Sequence, residues 1–172
     1  EEFNMADPGT EVSENVKSDV KEVGKKYLYV LFHFGDSKMK KIVSKEYFPA
    51  QDDEEEQKNY AKTCGGSAAG HDEAIALFND TYLPQIKAKL LEHKEPVWMA
   101  LQCNCRNAAD VYKTPVFWIE WNPDSGTSGK KRMIAAAISQ RLHTEAGGGI
   151  RFQVNGPEQF TLDALKSKVS DR

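Results

Sequence analysis

The chain has 172 residues, of which 40% are apolar and 28% are charged, and its formal net charge is −3. This length suits one domain with a single hydrophobic core, and the charge balance excludes a disordered chain and a bulk nucleic-acid binder. No run approaches the ~20 apolar residues that span a bilayer. We therefore expect a cytosolic protein that is not membrane-spanning and binds no nucleic acid.

The first four residues, Glu1–Asn4, carry no structural pattern and resemble an expression-vector scar before Met5. We therefore expect the domain to occupy residues 5–172. The number of cysteines is odd and two of them fall in a strand-like run, which predicts reduced thiols rather than a disulfide framework. The three cysteines are Cys64, Cys103 and Cys105.

The first half of the chain predicts a helix, a β-hairpin, a loop and a second helical region. Valines recur at helical spacing over residues 13–24, behind a serine that suits an N-cap. Two extended runs, Tyr27–Phe34 and Met39–Val43, flank a Gly-Asp turn. An acidic and then glycine-rich segment around residues 50–70 predicts a solvated, variable loop. Helical spacing returns over residues 72–93.

The second half predicts the central strands and the longest helix. Val97–Cys103 and Val116–Trp121 are apolar runs of strand length. A helix is expected over residues 128–145, followed by a strand at Ile150–Val154 and a last helix that begins near Pro157. The whole order predicts an α/β (α+β) fold, a three-layer sandwich whose mixed sheet of about five strands is covered by helices on both faces.

Four segments of the sequence resemble the ADF/cofilin family. Val12–Val16 resembles the Val-Ser-Asp start of the family's first helix, and Val116–Ser125 resembles its VFIFWAPDSA strand and turn. Lys130–Ile134 is similar to the KSKMIYA opening of the long helix, and Phe152–Gly156 resembles the strand that follows. The order and spacing of the segments agree with the family, whereas Ser44–Pro96 departs from it.

The resemblance implies a single ADF-homology domain that binds actin monomers and filaments, favours ADP-actin and promotes depolymerisation or severing. It implies no enzymatic activity, no catalytic residue, no cofactor and no metal. The implied monomer-binding residues are Asp7, Gly9, Lys130, Lys131, Arg132, Met133 and Ile134. The implied filament-binding residues are Asp110, Lys113, Glu158, Lys166 and Lys168. Phosphoinositides are a further implied partner, and we expect a monomer in the cytoplasm and cytoskeleton.

Two other functions remain open at this point. One is a coactosin-like protein of the same fold family, which decorates filaments without severing them. The other is a small enzyme that holds a phosphate ligand on the loop Gly65–Gly70, although this loop lacks the lysine of a P-loop. A zinc site at the cysteines and His71 has the wrong spacing, and the three tryptophans are expected to pack in the core.

Overall fold

The structure, a computed structural model, describes residues 8–66, 68–124 and 129–169. Its strands are β1 (Glu11–Val12), β2 (Tyr29–Phe34), β3 (Lys41–Phe48), β4 (Val97–Gln102), β5 (Cys105–Arg106), β6 (Tyr112–Lys113), β7 (Val116–Trp121) and β8 (Ile150–Val154). Six of them form one sheet in the order β1-β3-β2-β4-β7-β8, and β5 pairs with β6 in a separate hairpin. The β1–β3 and β7–β8 pairs are parallel, and the other pairs are antiparallel. The predicted mixed α/β fold is confirmed.

The helices are α1 (Glu14–Glu22), α2 (Glu54–Thr63), α3 (His71–Leu77), α4 (Leu83–Leu91), α5 (Gly129–Ala146) and α6 (Leu162–Lys166). A π-helical segment, Phe78–Tyr82, joins α3 to α4, and a 3₁₀ turn, Pro157–Gln159, precedes α6. Within the described ranges, no helix is both long and apolar enough to cross a membrane.

The two faces of the sheet carry two separate cores. On one face, α1 and α5 cover Val30, Phe32, Trp98 and Trp118. On the other face, residues of α2, α4 and α6 and of the π-helical segment cover the alternate residues of the same strands. Strand β4 is buried at all six positions because it lies between two strands and beneath helices on both sides. The expectation that helices cover both faces is therefore correct.

The tryptophans pack in these cores, as predicted. Phe32 and Trp118 stack with their ring centroids 5.5 Å apart, and the indole N–H of Trp98 donates to the hydroxyl of Ser139 at 3.3 Å. Trp121 packs in the opposite core and donates to the carbonyl of His93 at 3.0 Å. Large aromatic side chains therefore join the sheet to α5 on one face and to the end of α4 on the other.

A carboxylate shared by two hydroxyl groups attaches α1 to the edge of the sheet. Ser44 and Tyr47, both on β3, each donate to Oδ2 of Asp19 at 2.6 Å. Burial, and then the hydrogen bond to Asp19, raise the pKa of Tyr47 to about 12. The phenol therefore stays protonated and remains a donor to α1 throughout the neutral range.

Helix α2 corrects the prediction of a solvated loop around residues 50–70. The Asp53 side chain accepts from the backbone N–H of Glu56 at 3.1 Å, which caps the helix, and three glutamates occupy the first turn. Acidic side chains are favourable at a helix N-terminus, so the acidic run starts a helix here. Gln57 and Tyr60, three residues apart, are buried on the face that meets the sheet.

Other boundaries also differ from the prediction. The sheet has six strands rather than about five, since the short strand β1 pairs with β3. Strand β3 continues to Phe48 rather than ending at Val43, and Cys105 begins the separate β5–β6 hairpin. The last helix begins at Leu162, where the Thr161 side chain accepts from the N–H of Ala164 at 3.1 Å.

A buried ion pair joins the two strands at one end of the sheet. Arg151 on β8 donates through Nε to Oε1 of Glu120 and through Nη2 to Oε2 at 3.1 Å. Gln153 donates to the same carboxylate at 3.3 Å. The Glu120 side chain is only 5% exposed, so its charge depends on these donors.

We predict that Arg151→Met lowers the free energy of unfolding by about 2 to 4 kcal/mol, because it leaves the Glu120 carboxylate buried without its charged partner. Urea denaturation followed by circular dichroism measures the loss. Arg106→Met is the matched control, since its partner Asp72 is 84% exposed and such a pair contributes at most about 1 kcal/mol. Equal losses for the two variants would refute the importance of burial at Glu120.

We also predict that Gly149→Ala destabilises the fold by about 2 to 3 kcal/mol, a cost typical of overpacking. A Cβ atom at Gly149 would lie 1.8 Å from the carbonyl oxygen of Val116, so the β7–β8 connection would have to move. Gly129→Ala, with nothing within 4 Å of its Cβ, is the control and should not destabilise. Thermal unfolding of both variants checks this difference, and equal melting temperatures would contradict it.

Candidate functional site

A groove of about 450 Å³ lies between the start of α5 and strand β8. The Glu120 carboxylate and Gln153 form part of its lining, together with Asn155 from the end of β8 and with Arg132 and Met133 from α5. It forms because α5 lies over the centre of the sheet, whereas β8 is the edge strand. We call this cavity the α5 groove.

The first turns of α5 carry three consecutive cations with different surroundings. Lys130 is exposed and has no ion-pair partner among the residues that the structure describes. Lys131 forms an ion pair with Glu95, which lies just before β4. Arg132 pairs with Asp124 at 2.7 Å. Cations at a helix N-terminus oppose the macrodipole, and the two carboxylates offset part of this cost.

Arg132 is also held through its backbone. The Asn122 side chain donates to the Arg132 carbonyl at 3.1 Å, which ties α5 to the end of β7. Two buried atoms nearby, Nε of Arg132 and Oδ1 of Asn122, have no hydrogen-bond partner within the described part of the chain. The rim of the α5 groove is therefore fixed in position, but two of its buried polar atoms lack a hydrogen-bond partner among the described residues.

Met133 and Ile134 have opposite environments, although the resemblance assigned both to actin binding. Met133 is 57% exposed, one of the few large apolar side chains on the surface. Ile134 is only 5% exposed and packs in the core beneath α5. The assignment of Ile134 to a surface is therefore wrong, because consecutive helical residues lie about 100° apart around the axis.

The N-terminal arm reaches α5, but not at its first turns. Arg141 of α5 donates to the carbonyl of Thr10 at 2.7 Å, and Lys40 donates to the carbonyl of Pro8 at 2.5 Å. Arg141 is eight residues beyond Met133, about 12 Å along the helix. Gly9 is exposed with a left-handed φ of 75°. Asp7 lies outside the described residues.

The β5–β6 hairpin, which contains Asp110 and Lys113, is held against the start of α3. Arg106 donates to the Asp72 carboxylate at 2.9 Å and to the Asp110 carbonyl at 3.3 Å. The rings of His71 and Tyr112 stack with their centroids 3.9 Å apart. Asp110 is exposed, with a φ of 62° at the tip of the hairpin. The two residues are thus on a well-supported surface loop.

The remaining residues implied for filament binding lie in or near α6. The hydrogen bond that Cys103 shares with Cys105, together with burial, raises the pKa of Cys103. That hydrogen bond and the positive charge of Lys166 lower the pKa of Cys105, the first residue of β5. Lys168 lies beside β8, and Glu158 lies near the end of α4. Glu158 and Lys168 therefore line separate grooves.

A second, smaller groove of about 270 Å³ adjoins the α5 groove. Its lining includes Leu91 at the end of α4, Trp121 at the end of β7, Pro123 two residues later, and Glu158 before α6. Asn155 lines both cavities. We call this second cavity the Leu91 groove.

The start of the loop Gly65–Gly70 is hydrogen-bonded into the fold. The N–H of Gly65 donates to the carbonyl of Tyr60 at 2.9 Å, and the N–H of Gly66 donates to the carbonyl of Gly24 at 2.9 Å. Gln102 donates to the carbonyl of Cys64 at 2.7 Å, so the start of the loop is also bound from the sheet. The N–H groups of Gly65 and Gly66 are therefore already hydrogen-bonded within the protein.

The cysteines are buried, free thiols, and burial raises the pKa of Cys64 to about 12. They are packed in the core formed with α2 and α4. Among the described residues, no group of three or more His, Cys, Asp or Glu side chains is arranged to hold a metal ion.

Sequence reasoning missed three side chains that organise the site. Asp124 stands eight residues before Arg132, and a turn signal marks its position but not its ion pair. Glu95 is 36 residues from Lys131, and no local pattern connects them. Leu91 follows the buried Leu90 at the end of a helix, and its exposure depends on how α4 is packed.

A family of known proteins matches nearly the whole chain. The profile of the family described as "Cofilin/tropomyosin-type actin-binding protein" matches residues 9–170. Actin-depolymerizing factor 12 of Arabidopsis thaliana is 30% identical over 63 residues, which are 36% of this chain and 45% of that protein. This alignment thus spans less than half of the length of the relative.

Solved structures share the fold at low sequence identity. Actin depolymerization factor 2 of Plasmodium berghei has a TM-score of 0.62 and 16% identity, with 92% of this chain and 94% of that chain covered. Coactosin from Entamoeba histolytica has a TM-score of 0.58 and 14% identity, with 95% of each chain covered. These likenesses show the architecture alone, whereas the family profile covers nearly the whole chain. The chain therefore belongs to the cofilin/tropomyosin-type family of actin-binding proteins.

Proposed function

We propose that this protein binds actin through the start of α5 and the rim of the α5 groove, without chemistry of its own. One observation carries the proposal: Met133 is 57% exposed beside three consecutive cations at the start of the longest helix. Membership in an actin-binding family supports actin as the partner.

The physical chemistry of this surface suits a protein partner. An exposed methionine is a flexible apolar anchor, and burying such an anchor at the centre of an interface contributes much of the binding energy. Lys130, exposed beside it, increases the rate of encounter with an acidic surface such as that of actin. Arg132 is already oriented by Asp124, so little side-chain entropy is lost when it meets the partner.

We propose further that the protein binds actin filaments as well as monomers and promotes filament turnover, with ADP-actin favoured. The filament contact would use the β5–β6 hairpin together with Lys166, the last residue of α6, and Lys168, two residues beyond it. The Asp72–Arg106 pair and the His71–Tyr112 stack support this contact by holding the hairpin in place. In this role the protein acts in the cytoplasm and the actin cytoskeleton, as a monomer.

The basic start of α5 also supports a proposal of phosphoinositide binding. Lys130 offers a free ammonium group to an anionic headgroup, and each cation near an anionic membrane contributes about 1 kcal/mol. Such binding would compete with actin for the same side chains.

We predict that Met133→Ala and Lys130→Glu each weaken binding to ADP-actin monomers by about tenfold, since loss of an interface anchor costs about 1 to 2 kcal/mol. Fluorescence titration of labelled actin monomers measures the affinity. Lys62→Glu is the matched control, because Lys62 is exposed at the end of α2, on the other side of the sheet. Unchanged affinity in both α5 variants, with normal circular dichroism, would refute the site.

We predict that the protein pellets with actin filaments and increases the actin left in the supernatant. Lys166→Glu with Lys168→Glu should reduce the protein in the pellet while leaving monomer affinity within about twofold, since the two surfaces are separate. Pelleting without release of actin would instead favour a coactosin-like side binder. Normal pelleting of the double variant would remove α6 from the proposed filament surface.

A further inference from the structure

We infer that the Leu91 groove is a second part of the actin-binding surface, so that the partner contacts the end of α4 as well as α5. This inference rests on the proposed function and extends it to a segment, Ser44–Pro96, where the sequence departs from the family pattern. It assigns a binding role to Leu91 and to the apolar lining of the groove.

The start of α5 is too small to form an interface by itself. A stable interface uses about 20–30 residues and about 800 Å² on each partner, whereas two helical turns offer about seven residues. The partner must therefore contact further surface near the α5 groove. The Leu91 groove is next to it, since Asn155 lines both cavities.

Two of the few exposed apolar side chains line the two grooves. Only Leu91, Val111 and Met133 are large, apolar and exposed within the described part of the chain. Leu91 lines the Leu91 groove and Met133 lines the α5 groove, whereas Val111 lies on the β5–β6 hairpin. Exposed apolar side chains that line a groove favour a binding role more than apolar side chains scattered singly over the surface.

Hydrogen bonds fix the walls of the Leu91 groove. The Trp121 indole donates to the His93 carbonyl at 3.0 Å, and Nδ1 of the His93 ring is hydrogen-bonded to the Lys89 carbonyl at 2.9 Å. The Asp124 N–H donates to the Asn155 carbonyl at 3.2 Å. A cavity with such walls is formed before binding, so little conformational entropy is lost in ordering it when the partner binds.

Charge and size also favour a protein side chain as the occupant. The groove, at about 270 Å³, is smaller than the ~300–1,000 Å³ typical of small-molecule sites. Its lining combines the charged Lys94 and Glu158 with the apolar Leu91, Trp121 and Pro123. Protein interfaces likewise combine apolar and polar groups.

The test is the affinity of Leu91→Ala for ADP-actin monomers, measured beside Met133→Ala and Lys62→Ala. Lys62→Ala is the control because Lys62 is exposed at the end of α2 and lines neither groove. We expect Leu91→Ala to lose about fivefold to tenfold in affinity, and Lys62→Ala to stay within about twofold of the wild type.

The outcomes separate the inference from the proposed function. If Met133→Ala weakens binding and Leu91→Ala does not, the surface ends at α5 and the inference is wrong. If neither weakens binding, or the wild-type protein binds no actin, the proposed function itself fails and the inference fails with it. Thermal unfolding of each variant verifies the fold, and Leu91→Gln, which keeps a long side chain, repeats the test without a large loss of volume.

Discussion

The architecture depends on strand β4, which is buried along its whole length. A strand without a solvent-facing side needs apolar cover on both faces of the sheet, and its residues therefore alternate between two cores rather than between core and water. Trp98 and Ala100 face α1 and α5, whereas Met99 and Leu101 face the layer that contains α4. The positions of the helices, and of the cavities between them, follow from this requirement.

The α5 groove is a consequence of that cover. Helix α5 buries Ile134, Ile138 and Leu142 over the middle of the sheet, so its opposite side and its first turns face solvent. The edge strand β8 forms another part of the groove, where the Glu120 carboxylate is only 5% exposed. Arg151 compensates the charge of this carboxylate, so this wall of the groove carries a neutralised ion pair.

The cations at the start of α5 show how a local cost is offset by the tertiary structure. Three positive charges at a helix N-terminus are unfavourable by themselves. Glu95 and Asp124 come from two different connections of the sheet and pair with Lys131 and Arg132. Lys130 has no such carboxylate partner among the residues that the structure describes. A neutral helix start would need neither carboxylate, so the tertiary structure offsets a cost that the local sequence creates.

The sequence by itself determined the order of most elements, the layered α/β class and the family, because periodicity, turn residues and spaced motifs are local signals. It also located the basic start of α5 and its methionine. It predicted a solvated loop where α2 forms, because the acidic run that starts this helix is also typical of a loop. It also placed Ile134 on the surface. Only the tertiary structure decided that Met133 and Leu91 are exposed and that each lines a groove. Such facts depend on which side of each helix meets the sheet, and that is set by packing between residues far apart in the chain.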